Sequence, residues 1–154
     1  MKVRLMNMVK IYDKDSKKVL VLDKKKKYGW EGLTFPGGKV EENESLEDSV
    51  IREAKEETNL DIKNPKLVGL ITWAYTNESG EFQKDLGFLY KTSEFRGDLV
   101  KENREGSLFW KDYEDFRKMD GMSESMPEIL KVYEGELREI YWNVDDGKID
   151  NKYN

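Results

Sequence analysis

Between residues 36 and 57 the chain places Pro36-Gly37-Gly38-Lys39 ahead of Arg52, Glu53, Glu56 and Glu57. At about 100° per residue of helix the three glutamates fall within one arc of about 100°. Carboxylates so gathered repel one another by a few tenths of a kcal/mol per pair unless a cation lies between them. A solvated face neutralised by Arg52 or Lys55 is one reading of this pattern. A metal-binding face is the other, and the preceding glycines favour it, because a side chain of one hydrogen lets backbone carbonyls approach a ligand. Lys39 beside them can offset phosphate charge.

The composition limits which metal and which chemistry. The chain has no Cys and no His. Disulfides, thiol nucleophiles, Cys/His zinc sites and histidine bases are therefore excluded. Any cation must be held by oxygen, which points to hard ions such as Mg²⁺, Mn²⁺ or Ca²⁺. With 27 Lys and Arg against 32 Asp and Glu, the net charge of −5 argues against stable nucleic acid binding or attraction to anionic membrane. Charged residues reach 38%, but 4 Trp, 8 Tyr and 6 Phe supply more core material than a disordered chain carries. No apolar run approaches the roughly 20 residues of a membrane span. Met1 to Met8 lacks a long apolar stretch followed by small residues. The expected location is cytoplasmic; oligomeric state is left open.

The elements that must position the acidic residues follow from periodicity. Val3–Tyr12 and Lys18–Leu22 read as strands around the turn Asp13-Lys14-Asp15-Ser16. Lys24 to Lys27 form a lysine run that reads either as a solvated loop or as a lure for polyphosphate. Leu33-Thr34-Phe35 is a short strand, and Pro36-Gly37-Gly38 reads as a backbone turn using glycine's freedom. Ser45 to Thr58 is helical, with Ser45 and Asp48 as a capping pair and Leu46, Val50, Ile51 and Ala54 as its apolar stripe. Asn59 suits a left-handed terminator. Leu67–Thr76, Leu86–Thr92, Leu108–Trp110 and Leu137–Val144 read as strands, Tyr113–Met119 as a helical turn and Pro127–Glu134 as a helix. The last ten or so residues read as a fraying tail. One α/β (α+β) domain over residues 1–154 is expected.

The spacing Gly38, five residues, Glu44, seven residues, Arg52-Glu53-Ala54-Lys55-Glu56-Glu57-Thr58-Asn59-Leu60 resembles the Nudix box, the signature of the Nudix hydrolases. Every fixed position over residues 38–60 agrees except the last glycine, which is Asn59 here. The resemblance implies a Nudix-type α/β/α sandwich with a mixed, curved sheet. It also implies hydrolysis, with Mg²⁺ or Mn²⁺, of a nucleoside diphosphate linked to another moiety. Carried onto this chain it makes Glu53, Glu56 and Glu57 metal ligands, with the Gly37 carbonyl a further candidate. Glu44 would lie at the cluster's edge and Arg52 would orient the glutamates. A distal acidic ligand is expected from Lys101-Glu102-Asn103-Arg104-Glu105, with Glu102 ahead of Glu105. Without His, a carboxylate or a hydroxide generated at the metal must take the water's proton, and Glu53, Glu56 or a distant glutamate all qualify.

Trp30 to Gly38 is similar to the segment leading into the box in bacterial 8-oxo-dGTP diphosphatases, the MutT-like branch of the family. That likeness implies a nucleotide substrate cleaved to the monophosphate and pyrophosphate. By position, Asn7 and Thr34 are candidates for bonding base edges, Phe35 or Trp110 for stacking, and Gly38 and Lys39 for the phosphates. Other nucleotides such as ADP-ribose, a dinucleoside polyphosphate or an ordinary dNTP form one alternative. A catalytically idle nucleotide sensor forms another, and the intact Arg52, Glu53, Glu56 and Glu57 argue against it.

Overall fold

Successive residues of the central strands face opposite sides, and both sides are buried: Met8 enters one hydrophobic cluster and Val9 the other, as do Val19 and Leu20. A computed structural model describes residues 1–25, 30–145 and, as backbone, 148–152. Its elements are β1 (Lys2–Asp13), β2 (Lys18–Lys24), β3 (Gly32–Thr34), β4 (Gly37–Lys39), α1 (Leu46–Thr58), β5 (Asp61–Lys63), β6 (Lys66–Thr76) and β7 (Phe82–Thr92). They continue with β8 (Glu94–Arg96), β9 (Glu102–Asn103), β10 (Gly106–Asp112), α2 (Tyr113–Arg117), α3 (Met126–Tyr133), β11 (Glu139–Asn143) and β12 (Lys148–Lys152).

The main sheet runs β12-β11-β6-β7-β1-β2-β10-β9, with β3 added to β2 and β4 added to β1. It is mixed and curved: β1 pairs in parallel with β7, and β11 with β6, while the other pairs are antiparallel. Helix α1 covers one face through Val50 and Ala54, packed with Val9, Ile11, Leu20 and Leu22. Phe116 of α2 and Met126, Ile129 and Val132 of α3 cover the other, over Met8, Val21, Ile71 and Leu89. The expected α/β/α layering and mixed sheet are therefore present. No helix among the described residues is long and apolar enough to cross a membrane.

Helix α1 begins and ends where its caps dictate. The Ser45 hydroxyl accepts a bond from the Asp48 amide at 3.0 Å. Asn59 adopts φ 68°, donates its amide to the Lys55 carbonyl at 3.0 Å, and ties its side chain to the Asp98 carbonyl. Asparagine thus fills the glycine position of the box without disturbing the helix end.

Two expectations about local structure are corrected. Pro36-Gly37-Gly38 is not a free turn: Gly37 and Gly38 enter β4, paired with Met8 and Asn7, and neither is among the residues with positive φ. Close approach explains the glycines instead. A Cβ on Gly37 would come within 2.1 Å of the Asn7 carbonyl oxygen, and one on Gly38 within 2.2 Å of the Glu53 carboxyl carbon. The C-terminal residues are not simply a frayed tail, since β12 pairs with β11 from Asn143↔Lys148 to Glu139↔Lys152. Of the lysine run, Lys26 and Lys27 lie outside the described residues.

Candidate active site

Arg52 ties the loop before α1 to the acidic face of the helix. Its Nε and Nη2 donate to the two Glu44 carboxylate oxygens at 3.0 and 2.7 Å. Nη1 donates to Glu53 at 3.1 Å and Glu56 at 3.0 Å, and Nη2 also reaches the Lys39 carbonyl at 2.9 Å. The fork geometry of guanidinium suits such shared, two-pronged bonding. The bonds from Arg52 and from the Glu41 amide hold the Glu44 carboxyl below its ordinary range. Arg52 thus links Glu44 to Glu53 and Glu56.

The Glu57 side chain takes a different course. Its Oε2 is buried without a hydrogen-bond partner among the described residues. Burial and the charges of Glu105 and Glu53 push the Glu57 carboxyl up to about 9, against the backbone of Gly37. Burial likewise raises Glu53, although Arg52 pulls it back. Antiparallel alternation accounts for the Gly37 contact. The Val9 amide bonds to the Pro36 carbonyl and the Val40 amide to the Leu5 carbonyl, so the intervening Gly37 points its N–H and C=O away from β1. The candidate carbonyl thus lies on the open edge of β4.

Glu105 reaches Glu57 because Asn103 templates the loop between β9 and β10. Asn103 Oδ1 accepts from the amides of Glu105 at 2.8 Å and Gly106 at 3.1 Å, while Nδ2 donates to the Glu57 carbonyl at 3.0 Å. Glu102 is exposed on β9 opposite Ser107. The structure therefore brings Glu105, and not Glu102, to the acidic residues of α1.

Glu53, Glu57 and Glu105 fit a hard divalent cation by donor chemistry: all are oxygen donors, and a buried carboxylate oxygen without a partner gains most from one. Among the described residues no three acidic side chains converge on one point in this arrangement. Arg52 draws Glu53 and the exposed Glu56 toward itself, which leaves Glu57 facing Glu105.

The side chains expected to read the base are engaged within the fold. Asn7 is buried, its amide spent between the Ser49 hydroxyl at 3.0 Å and the Gly38 amide at 3.1 Å. It positions β4 against α1. Thr34 is fully buried with its hydroxyl on the Phe35 carbonyl and the Met126 sulfur. Phe35 is a core ring, 5.6 Å from Phe116 and 5.3 Å from Tyr133. Trp110 stacks on Phe95 at 5.1 Å in the cluster beneath α1. Gly38 contacts Glu53 as described, and Lys39 is exposed on β4 with its carbonyl on Arg52.

An aromatic surface that the sequence reading missed is Trp73. Its indole lies against Gly87, where a Cβ would come within 2.7 Å of the ring, and its Nε1 donates to the Ser125 hydroxyl at 3.1 Å. Arg4, Asp85 and Tyr75 form a bonded group beside it, with Asp85 opposite Trp73 in register. The signal was faint: a tryptophan in a strand is a core residue by default.

Residues 1–133 match the NUDIX domain family. An uncharacterized Nudix hydrolase of Bacillus subtilis (strain 168), YvcI, is 37% identical over 102 residues, spanning 66% of this chain and 63% of that protein. The chain thus covers less than two thirds of that relative's length. An 8-oxo-dGTP diphosphatase of Buchnera aphidicola subsp. Schizaphis graminum (strain Sg) is 34% identical over 94 residues, 54% of this chain and 72% of that one. The crystal structure of a MutT protein from Bacillus halodurans superposes with a TM-score of 0.77 at 27% identity, covering 97% of this chain and 96% of that one. The solution structure of the E. coli ORF135 protein gives a TM-score of 0.69 at 20% identity over 88% and 91% of the two chains, a likeness of fold.

Proposed function

The chain belongs to the NUDIX domain family, and from that premise we propose that it is a divalent-metal-dependent hydrolase of nucleoside triphosphates, releasing the monophosphate and pyrophosphate, with 8-oxo-dGTP as preferred substrate. The observation that carries the reading is the buried, partnerless Glu57 oxygen beside Glu105 and Glu53, at the end of a helix whose acidic face Arg52 orders. A Mg²⁺ or Mn²⁺ ion supplies phosphate neutralisation and activation of water to such a set. Glu53, Glu57 and Glu105 are the residues to hold it, with the Gly37 carbonyl on the open β4 edge as a further donor.

Arg52 keeps Glu53 aimed, and its grip on Glu44 and the Lys39 carbonyl fixes the loop that follows β4. We assign the proton of the attacking water to Glu53 or Glu105; Glu56 lies out on Arg52, largely in solvent. The base we assign to the face carrying Trp73 and Ser125 rather than to Phe35 or Trp110.

The choice of 8-oxo-dGTP is supported by the diphosphatase relative and the MutT fold neighbours. Oxidation turns N7 of guanine from acceptor into donor and adds a carbonyl at C8. A pocket that bonds these edges discriminates by about 1–3 kcal/mol for each polar group left unpaired by the wrong base. Hydrolysis of 8-oxo-dGTP, dGTP, other dNTPs and ADP-ribose with Mg²⁺ tests the reading. The expected result is the highest kcat/KM on 8-oxo-dGTP; equal values with dGTP, or faster cleavage of ADP-ribose, would end the sanitising assignment.

A further inference from the structure

Lys24 is the one lysine or arginine buried among the described residues, at 6% exposure. Lysine is almost never buried without a task for its charge. Its place follows from strand alternation: Leu20 and Leu22 face α1, so Lys24, next on that side of β2, points toward the same helix. The residues opposite it on both neighbouring strands are glycines, Gly106 of β10 and Gly32 of β3. The ammonium donates to the Trp30 carbonyl at 2.9 Å and lies 4.5 Å from the centre of the half-exposed Trp30 ring. Glu105 and Glu57 both act on it electrostatically, and the Lys25 amide bonds to the Glu105 carbonyl. On its other side Lys24 lines an open cavity of about 460 Å³ with Asp23, Lys25, Glu31, Gly32, Gly121 and Met122.

A fixed ammonium beside an acidic cluster competes with any metal ion for that cluster. The two cations become compatible when an anion spans them. We propose that Lys24 binds the polyphosphate chain of the substrate, at the boundary between the Glu57–Glu105 pair and the adjoining cavity. This assignment rests on the hydrolase reading above for the identity of the anion. A compact, rotatable ammonium suits phosphate oxygens, where geometry varies through the reaction. The half-exposed Trp30 ring shields the contact from water.

The test uses inorganic tripolyphosphate, titrated calorimetrically into wild type, Lys24→Met and Lys24→Arg with saturating Mg²⁺, and Mn²⁺ alone, followed by electron paramagnetic resonance. Lys24→Met should weaken tripolyphosphate about tenfold or more, Lys24→Arg should hold it within about threefold, and Mn²⁺ should bind Lys24→Met at least about threefold more tightly. Equal tripolyphosphate affinity in wild type and Lys24→Met, or none in wild type, overturns the assignment. Should Lys24→Met not melt cooperatively, the wild-type indole signal decides. A fluorescence response to tripolyphosphate that Trp30→Phe abolishes supports the site, and its absence overturns it. Lys24-dependent binding without hydrolysis of any nucleoside triphosphate would defeat the function reading alone, whereas hydrolysis with Lys24-independent binding would defeat only this assignment.

Discussion

Glu57 and Glu105, two acids from distant parts of the chain, are brought together at the C-terminal end of α1 by Asn103, which bonds the backbone of both. Burial and the charges of Glu105 and Glu53 raise Glu57, while the bonds from Arg52 hold Glu44 below its ordinary range nearby. The contrast is one of partners: Arg52 bonds one end of the cluster, and the charge of Lys24 acts on the other.

Replacing Glu57 with Gln keeps the shape and removes the ionisable group. Activity with Mg²⁺ should fall by about a hundredfold or more, while the melting temperature in chelator stays within a few degrees of wild type or rises. Mg²⁺ at about 100 times its Kd should stabilise wild type by about 2.7 kcal/mol and Glu57→Gln by much less. Full turnover by the folded variant, or by wild type in excess chelator, would contradict the metal-site reading.

The paired glycines should respond differently to alanine. At Gly37 the new methyl meets the Asn7 backbone, which cannot step aside, so the fold should lose about 2 kcal/mol or more. At Gly38 it meets the Glu53 carboxylate, which can swing away, so activity should fall by over tenfold with a smaller stability loss. Urea melts and kcat on the two variants check this; identical behaviour would refute it.

Asn7→Ala should destabilise by about 1–3 kcal/mol, because the Gly38 amide and the Ser49 hydroxyl both lose a buried partner. The preference of 8-oxo-dGTP over dGTP should stay within about twofold of wild type, since the amide never faces the base. A collapse of that preference with unchanged stability would restore Asn7 to the base pocket.

Acid should erase the contribution of Asp85. Burial pushes its carboxyl up, but the bonds from Arg4, Gln83 and Tyr75 outweigh this and hold it below the ordinary range. The folded chain therefore binds this proton less readily than the unfolded one. The stabilisation is complete above about pH 4, the unfolded value, and is lost as pH falls through the lower folded value. Asp85→Asn should cost about 1–3 kcal/mol at pH 7 and clearly less at pH 3. Urea unfolding at both pH values measures the gap, and an unchanged gap would count against the network.

Local signals proved legible and long-range ones did not. Ser45, Asn59 and the stripe of Val50 and Ala54 specify α1 within a single stretch of chain, and the structure follows them. The short strands β5, β8 and β9 have no period to read, because pairing with distant residues creates them. The surroundings of Asn7, Thr34, Phe35 and Trp110 were not legible for a related reason. On strands buried on both faces, hydrophobic pattern does not say which cluster a side chain joins. The choice between Glu102 and Glu105 did carry a clue: Asn103, followed by Glu105 and Gly106, is a turn-templating asparagine.

One guanidinium spans the loop and the helix, bonding the Lys39 carbonyl, Glu44, Glu53 and Glu56 at once. Its reach therefore acts as a ruler for residues 40–51. An insertion or deletion there, though confined to a surface loop that would ordinarily absorb it, would pull Arg52 off either Lys39 and Glu44 or Glu53 and Glu56. The length of this stretch is thus under tighter constraint than its sequence, and loop grafts into this scaffold belong at Asn77–Gly80, where a hairpin turn touches none of these groups.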